Sequence, residues 1–202
     1  MTEEIHGKGE VTLGVASLSA KVTVLPSKVL TSSDPCLIQS VISIKEKVDE
    51  GHIIKLIEPA WSEIISLISK NPHIMHEIPY RKWEEIIAAA YDKARFDEVT
   101  LTPHSGDLGR DVIAVKKGWG SIRIIDQVKA FKPGHLVTAD DVRALLGVLQ
   151  ADQGATKGIV TTTSDFAPKI HEDKLIQPFI PYRLELINGE ELVDYLTKLR
   201  NA

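Results

Sequence analysis

Between Arg110 and Phe131 the chain reads "RDVIAVKKGWGSIRIIDQVKAF", two apolar runs joined by a glycine-containing turn. This segment restricts the fold more than any other. In a strand, residues two apart share a face. In the second run Ile125, Gln127, Lys129 and Phe131 therefore lie on one side, and Ile122, Ile124, Asp126 and Val128 on the other. Large apolar side chains on both faces call for cover on both, so these strands belong inside a layered sheet. The stretch "KGWGS", residues 117–121, suits the hairpin connection. If it closes symmetrically about Trp119, Ile113 stands opposite Ile125 and Asp111 opposite Gln127. Opposed residues share a face, with Cβ atoms roughly 4.5–5.5 Å apart. A slip of one residue would send Asp111 to the other side. In the symmetric register Asp111, Gln127 and Lys129 converge at one end of the hairpin, where a core would prefer valine.

The flanking pattern is α/β. "PYRKWEEIIAAAYDKARF" opens on Pro79 and repeats Trp83, Ile87, Ala90 and Ala94 on one helical stripe. "EVTLTP" is a short strand ended by Pro103. After the hairpin come the helix "TADDVRALLGVLQ", capped by Thr138 with Asp141, and the strand "KGIVTTT". "SDFAPKIHEDKLI" is predicted helical, "RLELI" a strand, and "NGEELVDYLTKL" the last helix. This order predicts a mixed central sheet flanked by helices over residues 76–202. Residues 1–75 form an N-terminal extension. In it "EVTLGVASLSAKVTVLP" and "CLIQSVISI" suggest strands of a small β-rich lobe, and "IEPAWSEIISLISKNPHI" a helix.

Composition narrows the function classes. A chain of 202 residues holds one substantial domain and a smaller appendage. Cys36 is the only cysteine, which excludes a disulfide framework or a cysteine-rich zinc site and fits a reducing cytoplasm. No apolar run approaches the roughly 18 residues that cross a bilayer. Net charge is −4, yet residues 110–143 hold seven Lys/Arg against four Asp, a locally basic stretch permissive for nucleic acid.

A carboxylate, an amide oxygen and an ammonium on one covered face suit a hard cation beside an activated water. Mg²⁺ prefers oxygen ligands and often uses only one or two protein carboxylates. Such an ion polarises a phosphodiester and stabilises the leaving alkoxide. The competing reading places Gln127 and Lys129 on an exposed strand end, with Asp111 merely neutralising Lys129.

Residues 79–200 resemble the Mrr-type catalytic domain of the PD-(D/E)xK nuclease superfamily. "RKWEEIIAAAY" is similar to its opening helix, with the aromatic–Glu pair at Trp83-Glu84. "SGDLGRDVIAV" is similar to the glycine-rich loop before the active-site Asp, which falls on Asp111. "DQVKAF" resembles the QxK variant of (D/E)xK, on Gln127 and Lys129. "VRALLGVL", "KGIVTTTSDF" and "LELINGEEL" resemble the later elements, in family order. The resemblance implies a restriction-endonuclease-like αβββαβ core and a Mg²⁺- or Mn²⁺-dependent endonuclease acting on DNA, often in restriction of foreign DNA. It implies metal binding by Asp111 and by Gln127 or the Val128 carbonyl, with Glu84 orienting the site or holding a second metal ion. Lys129 would handle the water, and the ends left would be 5′-phosphate and 3′-hydroxyl. The loop departs from the usual Asp-Gly-Gly-x-Asp, reading Asp107-Leu108-Gly109-Arg110-Asp111.

Lys116, Lys117 and Trp119 at the hairpin tip, and Thr163 and Ser164 at a strand end, are candidate DNA contacts; a solvated turn and plain capping are the plainer readings. His104 and Asp107 lie in the loop, where a surface histidine and a turn-capping aspartate are the simpler roles. A homodimer would suit double-strand cleavage. Other functions consistent with the sequence are a structure-directed junction or repair nuclease, and a non-catalytic nucleic-acid-binding module that keeps the fold.

Overall fold

The computed structural model describes residues 35–103 and 109–201. A short helix α1 (Pro35–Ile38) leads into a hairpin of β1 (Ile42–Val48) and β2 (Gly51–Leu56), then α2 (Glu58–Lys70), a 3₁₀ turn (Pro72–His76) and α3 (Tyr80–Lys93). The strands β3 (Glu98–Leu101), β4 (Val112–Lys116) and β5 (Ile122–Lys129) follow. After them come α4 (Ala139–Ala151), β6 (Lys157–Thr162), β7 (Leu184–Ile187) and α5 (Gly189–Asn201). The seven strands of the described residues form one sheet in sequence order. Neighbours from β1 through β5 are antiparallel; tight turns join β1 to β2 and β4 to β5, while α2 and α3 lie between β2 and β3. The α4 crossover makes β6 parallel to β5, and β7 is parallel to β6. The sheet is therefore mixed, as the alternation of elements predicts.

Both faces are covered, as the two-sided apolar pattern of β5 requires. On one face Trp61, Ile64, Ile65 and Ile68 of α2, Trp83, Ile86 and Ile87 of α3, and Leu192 and Leu196 of α5 pack over Val112, Ala114, Ile124, Val128 and Ile159. On the other, Val142, Leu145 and Leu149 of α4 pack over Ile125, Val160 and Leu184. Both buried indoles have partners: Trp61 Nε1 donates to the Ile86 carbonyl (3.1 Å) and Trp83 Nε1 to the Met75 carbonyl (2.9 Å). These bonds fix α3 against α2 and the turn before it. Truncating either indole would cost roughly 3–5 kcal/mol.

The described part of the N-terminal extension is continuous with this sheet. Strand β2 pairs with β3 through His52↔Leu101 and Ile53↔Thr100. Gly51 makes the close approach possible: its φ is +147°, and a Cβ there would lie 2.3 Å from the Leu101 carbonyl oxygen. The strand expected over "CLIQSVISI" begins only at Ile42, because residues 35–38 turn as a helix. The strand expected over residues 10–26 lies outside the described residues.

The helix predicted over "SDFAPKIHEDKLI" is not formed. Val137 and Phe166 instead make a parallel bridge, and only the 3₁₀ turns Ile170–Glu172 and Gln177–Phe179 follow. The reason is local. Pro168 has no N–H to donate, Lys169 takes a left-handed φ of 65°, and the Ala167 N–H is drawn to the Val137 carbonyl (2.9 Å).

Candidate active site at the open end of the central hairpin

The β4–β5 ladder pairs Val112 with Asp126 and Ile113 with Ile125. This is the symmetric register, and it sets Asp111 opposite Gln127. Strand β4 begins at Val112, whereas β5 continues to Lys129, paired there with β6 alone. Asp111 fills the vacated edge. Its N–H donates to the Asp126 carbonyl (3.1 Å), and its Oδ2 accepts from the Val128 N–H (2.7 Å). The two backbone polar groups of a strand residue face one edge, so the Val128 carbonyl points toward Asp111 as well.

Helix α3 brings its N-terminus to the same edge. Tyr80 and Glu84 are four residues apart and so lie on one helical face. Tyr80 Oη donates to Asp111 Oδ2 at 3.1 Å. Glu84 is 1% exposed and is ion-paired with Arg81. Burial and the Asp111 charge push its carboxyl up, and Arg81 and Tyr80 oppose the rise. Burial, Asp111 and Glu84 hold the Tyr80 phenol far above its ordinary value, so it remains a hydrogen-bond donor. Two carboxylates thus share one partly dry edge, an arrangement that favours a cation.

Gln127 is 9% exposed, and its Oε1 has no hydrogen-bond partner among the described residues. Gly109, at φ +78°, lets the loop pass beside it: a Cβ there would sit 3.5 Å from Gln127 Nε2. Lys129 turns toward α4, with Nζ 3.5 Å from Asp141 Oδ1. Burial raises the Asp141 pKa, but the Thr138 hydroxyl and N–H and the Lys129 charge outweigh it and leave the group below its ordinary value. Among the described residues no three His, Cys, Asp or Glu side chains are grouped to hold a metal. The oxygen donors at this edge are two carboxylates, one orphaned amide oxygen and a backbone carbonyl.

On the opposite face of β5 lies Asp126, 2% exposed, accepting from Tyr91 Oη (2.8 Å) and Thr161 Oγ1 (3.1 Å). Burial raises its pKa to about 7 against the pull of those two donors, and Asp111 and Glu185 add to the rise. The other candidates lie apart from the carboxylate pair. Lys116, Lys117 and Trp119 sit at the far end of β4, five residues or about 17 Å along the strand from Asp111. Lys116 reaches the Arg95 carbonyl, Lys117 Nζ lies 3.6 Å from Glu98, and Trp119 is fully exposed. Thr163 is buried, giving its hydroxyl to the Phe131 carbonyl (2.7 Å) and its N–H to the Lys129 carbonyl (3.2 Å). The Ser164 N–H bonds Thr162 Oγ1 (3.1 Å). Thr163 thus ties the end of β6 to the exit of β5, and no helix begins at Ser164 for it to cap. His104 and Asp107 lie outside the described residues.

Tyr80 and the Asp141 contact to Lys129 were not read from the sequence. The i,i+4 spacing of Tyr80 and Glu84 was available as a signal; the approach of α4 to Lys129 depends on tertiary packing. No helix among the described residues is long and apolar enough to cross a membrane.

Among curated proteins there is no match. Similar solved structures include the MspJI restriction endonuclease in complex with a 27-mer oligonucleotide, at 17% identity and a TM-score of 0.43, covering 71% of this chain and 31% of that one. Another is the DNA modification-dependent restriction endonuclease AspBHI, at 19% identity and a TM-score of 0.44, covering 70% and 35%. The chain spans about a third of the length of each. Residues 75–196, over half of the chain, match the Mrr_cat restriction endonuclease family, and the chain belongs to that family.

Proposed function

We propose that the chain is a divalent-metal-dependent endonuclease that hydrolyses DNA phosphodiester bonds, with Mg²⁺ or Mn²⁺ as its ion, in restriction of foreign DNA. The observation that carries this reading is the meeting of Asp111 and the buried Glu84 at the edge where β5 outruns β4. The donor set fits a hard cation: all oxygen, few carboxylates, and a buried amide oxygen on Gln127 with no partner among the described residues. Asp111, Glu84 and either Gln127 Oε1 or the Val128 carbonyl would hold the ion. When bound, it polarises the scissile phosphate and stabilises the departing alkoxide. Lys129 orients the attacking water and offsets charge gathering on the phosphorus, while Asp141 fixes its ammonium from the α4 side. A homodimer would set two such sites on one duplex.

A second reading is a DNA-binding module that no longer cuts. Gln127 favours it, because an amide holds a divalent ion less tightly than a carboxylate. Incubating plasmid with the full chain separates the two. The nuclease reading expects nicked or linear product with Mg²⁺ or Mn²⁺, none with EDTA, and ends that ligase rejoins without prior phosphorylation. Retarded but intact plasmid under every metal condition would favour the second reading.

A further inference from the structure

We infer that Tyr80 is a positioning residue of this site: its hydroxyl, beside Glu84, fixes the Asp111 carboxylate for a divalent ion. The inference rests on the nuclease reading above. Tyr80 is the first residue of α3, set by Pro79 in extended conformation (φ −60°, ψ 149°). Its side chain does not serve the core, since Tyr80 is 37% exposed and belongs to neither apolar cluster. The hydroxyl, by contrast, turns inward to Asp111 Oδ2 at 3.1 Å, within electrostatic reach of Glu84.

Asp111 Oδ2 is thereby held from two directions, by the Val128 N–H of β5 at 2.7 Å and by the Tyr80 O–H of α3. A carboxylate oxygen held by two donors from different elements loses its freedom to rotate, so the carboxylate meets an ion in one orientation. Partners that orient a metal ligand in this way typically contribute 10–100-fold to metal affinity or activity.

The test is Tyr80→Phe in the full chain, which removes one oxygen and keeps the ring. Mn²⁺ binding is followed by calorimetry without DNA, and plasmid cleavage is resolved into kcat and KM. We expect Mn²⁺ affinity to fall by about 10-fold and kcat to fall by a similar factor. KM for DNA and the melting temperature in EDTA should stay at parental values. A merely structural tyrosine would instead lower the melting temperature and leave Mn²⁺ affinity alone. Unchanged Mn²⁺ affinity and kcat in the variant, beside a parent that binds and cuts, would overturn this inference and leave the nuclease reading intact. A parent that binds no Mn²⁺ and cuts nothing would overturn both.

Discussion

Replacing Asp126 with asparagine should stabilise the protein at neutral and alkaline pH and leave it unchanged near pH 4. Asp126 is fully buried on the α3 side of β5, and burial raises its folded pKa from an ordinary 3.8 to about 7. Between those values the folded state keeps a proton that the unfolded chain releases. Stability therefore falls as pH rises from about 4 to about 7 and is level above that. At about 1.4 kcal/mol per tenfold change, the rise corresponds to a loss of about 4 kcal/mol. Asparagine carries no charge and keeps a carbonyl oxygen for Tyr91 and Thr161, so it escapes the loss. For a domain of this size the difference at pH 8 corresponds to roughly 10 °C in melting temperature. Thermal melts of both proteins from pH 4 to pH 8 provide the assay. The curves should coincide near pH 4 and diverge progressively toward pH 7. A constant offset across the whole range would refute the reasoning, since it would show that Asp126 does not change its protonation on folding.

Gln127→Glu supplies the missing carboxylate: it should bind Mn²⁺ on the order of tenfold more tightly yet lose roughly 1–3 kcal/mol in EDTA at pH 7, because the new charge is buried opposite Asp111. Calorimetry and melts with and without Mn²⁺ check this, and equal stability in EDTA would count against it. Gly51→Ala should cost roughly 3 kcal/mol in urea unfolding, because its φ of +147° and the 2.3 Å approach to the Leu101 carbonyl leave no room for a Cβ; a loss below about 1 kcal/mol would contradict the fit between β2 and β3. The double variant Lys117→Ala, Trp119→Ala should leave kcat within about twofold at saturating DNA, since the tip is about 17 Å along β4 from Asp111; a large fall in kcat would show that the tip acts in chemistry.

The hairpin was legible because it is over-determined. Apolar residues on both faces of β4 and β5 allow one burial pattern, and the odd-numbered turn around Trp119 fixes the register that places Asp111 opposite Gln127. Helices α2, α3 and α4 showed through their stripes for the same reason. Strand β1 showed only in part, at the end of "CLIQSVISI", because it is the sheet edge: most of "ISIKEKV" is exposed, and an edge strand needs no alternation. The segment after Ser164 reads as amphipathic helix, but its backbone donors are spent on Val137 and on 3₁₀ turns, a competition that no local pattern reveals. At the site, Asp111, Gln127 and Lys129 emerged from spacing, and Glu84 came only through family resemblance. Tyr80 and Asp141 owe their places to helix ends meeting the strand termini, contacts between residues 31 and 12 positions apart that become visible only in three dimensions.

The central claim is that Asp111 and Lys129 perform phosphodiester hydrolysis at the open end of the hairpin. The most direct measurement is the single-turnover rate of supercoiled plasmid cleavage in Mg²⁺ by the parent, Asp111→Ala and Lys129→Ala, with each variant's melting temperature as a check on folding. The account predicts metal-dependent cutting by the parent and a loss of about 100-fold or more in each folded variant. Cutting by either variant at the parental rate would contradict it.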